Sequence, residues 1–462
     1  MPFEIPKDLM VSVSGVRGRV GEALTPEVVA HFAAAFGAWL RAGISGHRPK
    51  VVLGRDSRVS GPMFARATAA ALQSVGCDVV DIGLAPTPTT LFTIRVEGAD
   101  GAIVVTASHN PVEWNALKLA SSVGMFLDAR QAAEMRTYLS DRPIPFAGWD
   151  GLGEVFVRED AVRRHIDAIL AIPYLDIERI RARRFRVALE CIHGAGVVLL
   201  PRLLEALGCE VYGLNLEPTG RFHRPPEPVA ANLGELEAHV RATGADIGMA
   251  TDPDADRLSL VSEEGQAIGE DFTLAFATEL VLRHKRGPVV TNLSTSRLLD
   301  DVCAQAGVPL ERAAVGEINV ARRMEAIGAV VGGEGNGGVI LPDVHLTRDS
   351  GVAAALVLQL MLETERKTSE LVAAHRPYAI VKDKLPRDAG ELDAAFATLE
   401  RELDAPEVDH QDGLRLAWSD DARWLHLRAS GTEPILRIIA EAPTEADARA
   451  LVERARQAVR AR

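Results

Sequence analysis

Cysteine is scarce in this sequence: the 462 residues include four cysteines, at positions 77, 191, 209 and 303. The cysteines are scattered and form no CxxC pair, so the sequence excludes a dense disulfide framework. We therefore expect reduced cysteines in the core of a cytosolic protein, and we predict a cytoplasmic location.

Long apolar runs are also missing. No uncharged apolar stretch reaches the ~18 residues that a membrane span needs, and the nearest one, residues 350–362, is predicted to be a buried helix. The first ten residues contain Glu4, Lys7 and Asp8 and lack the apolar core of a signal peptide. The sequence therefore predicts no membrane partner.

Basic residues are outnumbered, and several familiar motifs are absent. The 51 Lys and Arg face 64 Asp and Glu, giving a formal charge of −13. Nucleic-acid binding normally requires a basic face and is not favoured.

Two familiar catalytic motifs are absent. No Gly is followed by Lys, so there is no Walker A loop and a nucleotide phosphate donor is not indicated. No GxSxG elbow marks a hydrolase serine.

What the chain does contain is one unit used three times. Strands alternate with helical stretches through the first three quarters, which predicts α/β domains with mostly parallel sheets. Residues 72–79 (LQSVGCDV) resemble residues 204–211 (LEALGCEV), and a fainter copy begins at residue 303. Each unit ends in an unusual loop, and the three loops span residues 106–111, 251–257 and 332–338. We expect three related domains around a shared central cleft rather than a solenoid.

The last quarter of the chain has a different pattern. Short strands predicted at 378–381, 414–418, 424–427 and 435–440 precede a long helix from residue 444. This pattern predicts a smaller α+β domain. The expected domain boundaries are 1–150, 151–262 and 263–370 for the three α/β domains and 371–462 for the fourth.

The first unusual loop contains Ser108. It follows the apolar run 102–105, so it leaves the carboxyl end of a buried strand, where open α/β sheets place their ligands. A chemical role for Ser108 is therefore a reasonable hypothesis. Taken alone, the segment is equally typical of a turn or a helix start, because Ser, His, Asn and Pro favour both.

The second loop carries Asp252, Asp254 and Asp256, which alternate so that three carboxylates can converge on one hard cation. The spacing also begins an EF-hand, but Arg257 occupies the position that needs Gly, and residues 258–261 are typical of a strand. Mg²⁺ is the expected ion because it commonly binds through a few carboxylates plus a phosphate oxygen. A solvated acidic turn is the alternative.

Two further loops suit a phosphosugar. Residues 428–434, with Arg437 just after, offer guanidinium groups, hydroxyls and amides that fit a phosphate, although an ordinary hairpin turn is the alternative. Glu334 and Asn336 lie in a segment that is otherwise entirely Gly from 332 to 338. Glycine lets backbone approach a ligand, and a carboxylate and an amide suit sugar hydroxyls; a flexible loop is the alternative.

Several cations are placed to attract an anion. Arg17 lies in a glycine-flanked turn, and Lys118 follows Ser108 by ten residues. We expect Arg55 and Arg58, in a second such turn, to form structural ion pairs. In an acidic protein, a cleft that gathers the remaining cations would give a local positive field; these are Arg17, Lys118, Arg257, Arg428 and Arg437.

The four loops, in this order, resemble those of the α-D-phosphohexomutase family, which includes phosphoglucomutases, phosphomannomutases and phosphoglucosamine mutases. The resemblance spans essentially the whole chain, from residues 14–18 to 428–434. It implies a heart-shaped molecule of three similar α/β domains plus a smaller fourth domain. It also implies a phosphosugar substrate, a Mg²⁺ cofactor and a hexose 1,6-bisphosphate that is both intermediate and activator. The sequence does not distinguish a monomer from a homodimer.

The resemblance also implies residue roles. Ser108 would carry the phosphoryl group, passing it to a hexose monophosphate and recovering the other phosphate after the bisphosphate turns around. Asp252, Asp254 and Asp256 would hold Mg²⁺ together with the phosphate on Ser108.

Cationic and polar groups would complete the site. By the same resemblance, Arg17 and Lys118 would flank the transfer, Lys118 as acid/base candidate, with His109 orienting or assisting. Glu334 and Asn336 would hold the sugar hydroxyls. A last group would hold the phosphate that is not reacting: Arg428, Ser430, Gly431, Thr432 and Arg437.

Two positions depart from the family pattern. Many members have Glu-x-Ser where this chain has Glu334-Gly335-Asn336, and Ala429 stands where Pro is frequent. The Gly-Glu-Gly-Asn-Gly-Gly version resembles the branch assigned as archaeal-type phosphoglucosamine mutases. We therefore expect conversion of glucosamine 6-phosphate to glucosamine 1-phosphate, with phosphomannomutase or phosphoglucomutase activity as the alternative.

Two hypotheses of other classes compete with a mutase. Asp252-Pro253-Asp254 resembles the DxD start of a phosphatase with an aspartyl nucleophile, although the fifth position is then usually Thr or Val rather than Asp256. A non-catalytic phosphosugar sensor that retains the fold is the second.

Overall fold

The computed structural model describes residues 4–13, 15–386, 392–430 and 435–460. The first unit is built on a sheet of order β1-β2-β6-β5-β3-β4-β7. Its strands are β1 Met10–Ser12, β2 Gly15–Arg19, β3 Lys50–Arg55, β4 Asp78–Leu84, β5 Gly101–Val105, β6 Trp114–Ser121 and β7 Val155–Val157. Its helices are α1 Pro26–Gly43, α2 Gly61–Ser74, α3 Thr87–Glu97 and α4 Ala129–Ser140.

The second unit has a sheet of order β11-β10-β8-β9. Its elements are α5 Ala161–Leu170, α6 Ile177–Arg183, β8 Arg186–Glu190, α7 Leu200–Ala206, β9 Glu210–Leu214, α8 Gly234–Thr243, β10 Ile247–Thr251 and β11 Leu258–Ser262. Short 3₁₀ turns lie at Ala195–Val198 and Ala230–Asn232.

The third unit has a sheet of order β13-β12-β14-β15. Its elements are α9 Asp271–His284, β12 Val289–Asn292, α10 Leu298–Ala306, β13 Leu310–Ala313, α11 Glu317–Ile327, β14 Val331–Glu334, β15 Gly338–Ile340, α12 Ser350–Thr364 and α13 Thr368–Ala373.

The three units share one topology, which confirms the predicted repeat. In each unit a central strand (β3, β8 or β12) pairs in parallel with both of its neighbours, and the strand that delivers the unusual loop pairs antiparallel with the strand that follows it. Because the delivering strands β5, β10 and β14 are equivalent, their loops leave equivalent sheet edges. Contacts between the units then bring the three loops together: Ser108 meets Asp252, and Leu258 meets Gly337.

Apolar runs and helix coverage explain these sheets. β5 and β10 are buried along their whole length, as parallel strands covered on both faces are. The predicted buried helix is α12, and Asp349 caps it by accepting hydrogen bonds from the backbone N–H groups of Gly351 and Val352. In the described part of the chain, no helix has the length and apolarity needed to cross a bilayer.

The fourth unit is the smaller α+β domain that the sequence predicts. Its sheet has the order β16-β20-β19-β18-β17 and is antiparallel throughout. Its elements are β16 Ala379–Pro386, α14 Leu392–Leu403, β17 Glu407–Asp409, β18 Leu414–Trp418, β19 Arg423–Ala429, β20 Ile435–Ala442 and α15 Glu445–Arg460. The sequence did not predict α14 or the short, largely exposed β17.

The cysteines are all free thiols, as expected, and three of them are buried. Cys209 is only half-buried and packs against the main hydrophobic core.

Candidate active site

Ser108 stands at the junction of the first two units. Its hydroxyl donates a hydrogen bond of 2.9 Å to Oδ2 of Asp252, and the residue is only 4% exposed. Its φ angle is 47°, in the left-handed region that costs energy for a residue with a side chain. Such a conformation persists only where surrounding contacts enforce it.

Arg58 and Asp56 enforce it. The fully buried Arg58 guanidinium donates to the carbonyls of Ser108 at 2.6 Å and of Asn110 at 2.7 Å, and it also bonds Asp56 at 3.0 Å. Asp56 in turn accepts from the hydroxyl of Thr106 at 2.6 Å. The ion pair predicted for Arg58 is confirmed, but its wider role in holding the serine loop was not predicted. Arg55 instead donates to the backbone carbonyl of Asp56 at 3.1 Å.

The three aspartates of the second loop form a buried carboxylate cluster. One oxygen from each lies within 4.8 Å of the others, and all three residues are 0% exposed. Burial, followed by the charges of Asp256 and Asp254, raises the pKa of Asp252 well above its ordinary value. Oδ1 of Asp254 and Oδ1 of Asp256 have no hydrogen-bond partner among the described residues. Unsatisfied buried carboxylate oxygens of this kind fit a hard cation such as Mg²⁺.

Lys118 and Arg17 approach the cluster from the first unit. Gly15 of β2 pairs with Lys118 of β6, and a Cβ at Gly15 would lie 1.9 Å from the carbonyl oxygen of Leu117, so only glycine allows this pairing. Lys118 Nζ donates to Asp254 Oδ2 at 2.7 Å. Burial opposes the charge, but Asp254 and Asp256 outweigh it and raise the pKa of Lys118. Arg17 donates to the side chain of Asn110 at 2.8 Å.

His109 is neutral beside these cations. Burial, followed by Arg257, Arg17 and Lys118, lowers the pKa of His109 well below its ordinary value. Arg257 Nη2 lies 3.2 Å from His109 Nδ1, and because a guanidinium can only donate, Nδ1 accepts and the ring proton is assigned to Nε2. Besides the three aspartates, the structure therefore places four predicted site residues near Ser108: Arg17, Lys118, His109 and Arg257.

The segment 332–338, named the sugar loop after its predicted role, differs from its prediction in one respect. Glu334 is the last residue of strand β14, not part of a loop, because Gly332, Gly333 and Glu334 pair with β15. Its Oε1 accepts from Asn292 Nδ2 at 2.8 Å and from the Gly316 N–H at 3.0 Å. Burial opposes ionisation, but Arg348 and Asn292 outweigh it and lower the pKa of Glu334.

Asn336 follows in the turn between β14 and β15. Its Oδ1 accepts from the Gly338 N–H at 3.3 Å, and its Nδ2 lies 3.5 Å from Oε2 of Glu334. The carbonyl of the next residue, Gly337, accepts a hydrogen bond of 2.9 Å from the N–H of Leu258. This bond joins the sugar loop to β11, the strand that follows residues 251–257, which we call the metal loop after their predicted role.

The described residues of the predicted phosphate loop (428–434) belong to the fourth unit. Arg428 of β19 pairs with Arg437 of β20, and Arg428 Nε donates to Asp412 Oδ2 at 2.6 Å. Ser430 is buried, and its N–H donates to the carbonyl of Ile435 at 2.9 Å. Two predicted members of this loop lie outside the described residues: Gly431 and Thr432.

The fourth unit docks on the third through a few polar contacts near the site. Asp412 Oδ2 also accepts from the N–H of Val315 at 3.1 Å, one residue before the Gly316 N–H that binds Glu334. His426 Nδ1 lies 2.8 Å from the hydroxyl of Ser294. The phosphate loop and the sugar loop are thus attached to the same short segment of the third unit.

The sequence did not identify Arg348 as a site residue. This buried arginine bonds both Glu334 and Asp256, so it touches the sugar loop and the metal loop together. A charged residue just before the apolar stretch of α12 was a signal that could have drawn attention to it.

Comparisons with known proteins identify one family along the chain. Four family models match the chain in order: phosphoglucomutase/phosphomannomutase alpha/beta/alpha domain I over residues 9–142, domain II over 163–265, domain III over 269–378 and the C-terminal domain over 378–458. Together they cover most of the chain.

Individual proteins are similar over nearly their full length. A phosphoglucomutase/phosphomannomutase of Thermococcus kodakarensis is 40% identical over 443 residues, which are 95% of this chain and 96% of the relative. A probable phosphoglucosamine mutase of Methanopyrus kandleri is 38% identical, covering 95% of each. The crystal structure of a phosphoglucomutase/phosphomannomutase family protein from Burkholderia thailandensis superposes with a TM-score of 0.84 at 27% identity, covering 98% of this chain and 97% of that one. The chain therefore belongs to the phosphoglucomutase/phosphomannomutase family, whose members are phosphohexomutases.

Proposed function

We propose that this chain is a phosphoglucosamine mutase, which converts glucosamine 6-phosphate to glucosamine 1-phosphate through a phosphoserine at Ser108. The observation that carries the mechanism is the contact between the strained Ser108 and the buried carboxylate cluster. Glucosamine as the substrate is supported by the Gly-Glu-Gly-Asn-Gly-Gly sugar loop and by the name of the Methanopyrus relative.

The cluster is the proposed metal site. Asp252, Asp254 and Asp256, with the phosphate on Ser108, would hold Mg²⁺, and the ion would supply positive charge that stabilises the transferring phosphoryl group. Side chains of the first unit position the serine loop and add positive charge. Arg17 holds the serine loop through Asn110, and the Lys118 ammonium lies beside the cluster.

Phosphoryl transfer depends mainly on in-line positioning and charge stabilisation. The bond from phosphorus to Ser108 Oγ breaks as a bond forms to the free hydroxyl of the hexose monophosphate. Ser108 gains the proton that the sugar hydroxyl loses, and we propose Lys118 as the acid/base group that relays it. The resulting 1,6-bisphosphate turns around and returns its other phosphate to Ser108.

Substrate contacts come from the third and fourth units. Glu334 and Asn336 are proposed to bind sugar hydroxyls. The neutral His109 keeps an N–H donor on Nε2 for a phosphate or sugar oxygen. The phosphate that is not reacting is assigned to Arg428, Ser430, Gly431, Thr432 and Arg437, whose guanidinium, hydroxyl and amide donors match its oxygens.

A second candidate substrate class is favoured by one observation. The Thermococcus relative, at 40% identity, is named a phosphoglucomutase/phosphomannomutase. Glucose or mannose phosphates would then be the preferred substrates of the same mechanism.

Specificity constants separate the two candidates. We expect kcat/KM to be highest for glucosamine 6-phosphate when it is compared with glucose 6-phosphate and mannose 6-phosphate at saturating Mg²⁺ and 1,6-bisphosphate. Ser108→Ala should show no mutase activity with any of them and serves as the background control. A higher kcat/KM for glucose or mannose phosphate would replace the proposed substrate, and activity in Ser108→Ala would overturn the mechanism.

A further inference from the structure

Arg348 occupies a buried position between two loops of the site. It lies just before α12 and is 7% exposed, yet its side chain is surrounded by three carboxylates. A buried guanidinium is costly unless each of its donors meets an acceptor. Its partners therefore indicate what the residue does.

The guanidinium divides its donors between two units. Nη1 donates to Oε2 of Glu334 at 2.7 Å, and Nη2 donates to Oδ2 of Asp256. A third carboxylate, Glu317, accepts from the Arg348 backbone N–H at 3.0 Å and lies 3.4 Å from Nε. One planar side chain thus joins the metal loop of the second unit to the sugar loop of the third.

Each bond from Arg348 engages one oxygen of a carboxylate and thereby fixes the direction of the other oxygen of that carboxylate. With Oδ2 of Asp256 bound to Arg348, Oδ1 is the oxygen without a hydrogen-bond partner, in the part of the chain that is described. With Oε2 of Glu334 bound to Arg348 and Oε1 to Asn292 and Gly316, the carboxylate plane is fixed. A lysine has no planar fork and cannot match both contacts.

Gly338 provides the space that this arrangement needs. A Cβ at position 338 would lie 2.2 Å from Cδ and 2.9 Å from Cγ of Arg348. Because the end of the arginine is held by two carboxylates, its stem cannot move aside without releasing one of them. The close approach of Arg348 therefore explains why position 338 is a glycine.

We propose that Arg348 is a positioning residue that sets Glu334 for the sugar and holds it in register with the metal-binding carboxylate Asp256. This inference rests on the proposed function of the two loops. It does not depend on which hexose is the substrate, so it is tested with whichever hexose 6-phosphate the wild-type protein binds most tightly.

Equilibrium binding separates positioning from general structural damage. In Arg348→Ala, the Kd of that sugar phosphate, measured by calorimetry with EDTA present, should rise at least tenfold, because Glu334 loses its fixed orientation. The Kd of Mg²⁺, measured without sugar, should fall about threefold or more, because a positive charge is removed beside Asp256. Damage to the fold would weaken both affinities together, and that result, or an unchanged sugar Kd, overturns the proposal.

Gly338→Ala provides an independent variant if Arg348→Ala fails to fold. We expect it to weaken sugar binding at least tenfold in the wild-type background but less than twofold when combined with Arg348→Ala, since no long side chain remains to be displaced. Arg348→Lys should recover sugar binding only in part. The exposed Arg323, which pairs with Glu311 in the same unit, supplies the control Arg323→Ala. Equal and additive effects of Gly338→Ala in both backgrounds would contradict the proposal.

Discussion

The metal loop and the sugar loop leave equivalent strands of equivalent sheets, yet their carboxylates are satisfied very differently. Asp254 and Asp256 each keep a buried oxygen without a hydrogen-bond partner among the described residues. Glu334, equally buried, accepts from Asn292, Gly316 and Arg348. Asp254 and Asp256 do have cationic partners, Lys118 and Arg348, but each carboxylate is bonded through one oxygen, whereas both oxygens of Glu334 accept hydrogen bonds.

This difference in hydrogen bonding indicates that the two loops have different functions, although they lie on equivalent units. Buried carboxylate oxygens without a hydrogen bond are costly, and an added cation would offset that cost, so the loop of residues 251–257 fits a bound cation. A carboxylate fixed by three protein donors is preorganised and can recognise neutral hydroxyls without bringing an unbalanced charge. Arg348 contacts both loops, through Glu334 and Asp256.

Asp254→Asn should have the largest effect. The change removes a charge from the cluster and weakens the contact with Lys118, so we expect kcat/KM to fall by ~10³-fold, as for loss of a group that stabilises transition-state charge, and Mg²⁺ affinity to fall with it. Steady-state kinetics and Mg²⁺ titration check this. Asp246→Asn, on an aspartate that pairs with Arg186 away from the cluster, should leave both values within about twofold of wild type. Wild-type activity in Asp254→Asn would show that the cluster holds no functional cation.

Glu334→Gln should have a smaller and different effect. The new amide places an N–H₂ where Asn292, Gly316 or Arg348 now donates, so we expect kcat/KM to fall ~10²-fold while the Mg²⁺ Kd stays within about threefold of wild type. Glu311→Gln, on a more exposed carboxylate of the same unit, is the control. If Glu334→Gln abolished Mg²⁺ binding, the separation of tasks between the two loops would be wrong.

Arg428→Lys tests the phosphate loop, which we propose to contact a part of the substrate that does not react. Such a contact contributes equally to ground state and transition state, so we expect KM to rise about tenfold with kcat within about threefold of wild type. Arg423→Lys, on the same strand and paired with Asp421, is the matched control. A fall in kcat at unchanged KM would instead place Arg428 at the reacting phosphate.

A further effect is on stability rather than on activity, and it depends on pH. Burial lowers the pKa of His426 to about 4, and the ring bonds the third unit through Ser294. Between pH 6.5 and 4 the unfolded chain binds a proton that the folded chain does not, so stability falls as pH falls, by about 3 kcal/mol at pH 4. Above pH 6.5 this group contributes no pH dependence.

The Tm of His426→Gln should therefore drop less than that of wild type between pH 7 and pH 4.5. His410→Gln, which changes an exposed histidine of the same unit, should follow the wild-type curve. Parallel curves for His426→Gln and wild type would rule out a neutral, buried His426.

The repeat and the loops were predictable because they depend on local patterns. Apolar runs followed by special loops identified Ser108 and the three aspartates, and the repeated segment before each second strand identified the shared topology. Arg58 and Arg348 were harder to assign, because their partners are 50 and 92 residues away in the chain. A single sequence does not show that a buried guanidinium binds the carbonyl of Ser108.

Strand ends were also predicted imperfectly. Glu334 was expected in a loop because glycines surround it, yet Gly332 and Gly333 pair with β15 as strand residues. Tertiary pairing overrode the local preference of glycine for irregular backbone. The consequence is functional, since a carboxylate at a strand end is held more rigidly than one in a flexible loop.

Phosphopeptide mass spectrometry of protein treated with hexose 1,6-bisphosphate and Mg²⁺ tests the central claim most directly. We expect one added phosphate, located on Ser108 and removed when glucosamine 6-phosphate is supplied, with no added mass in Ser108→Ala. A phosphate located on Asp252, or turnover by a protein that never carries phosphate on Ser108, would contradict it.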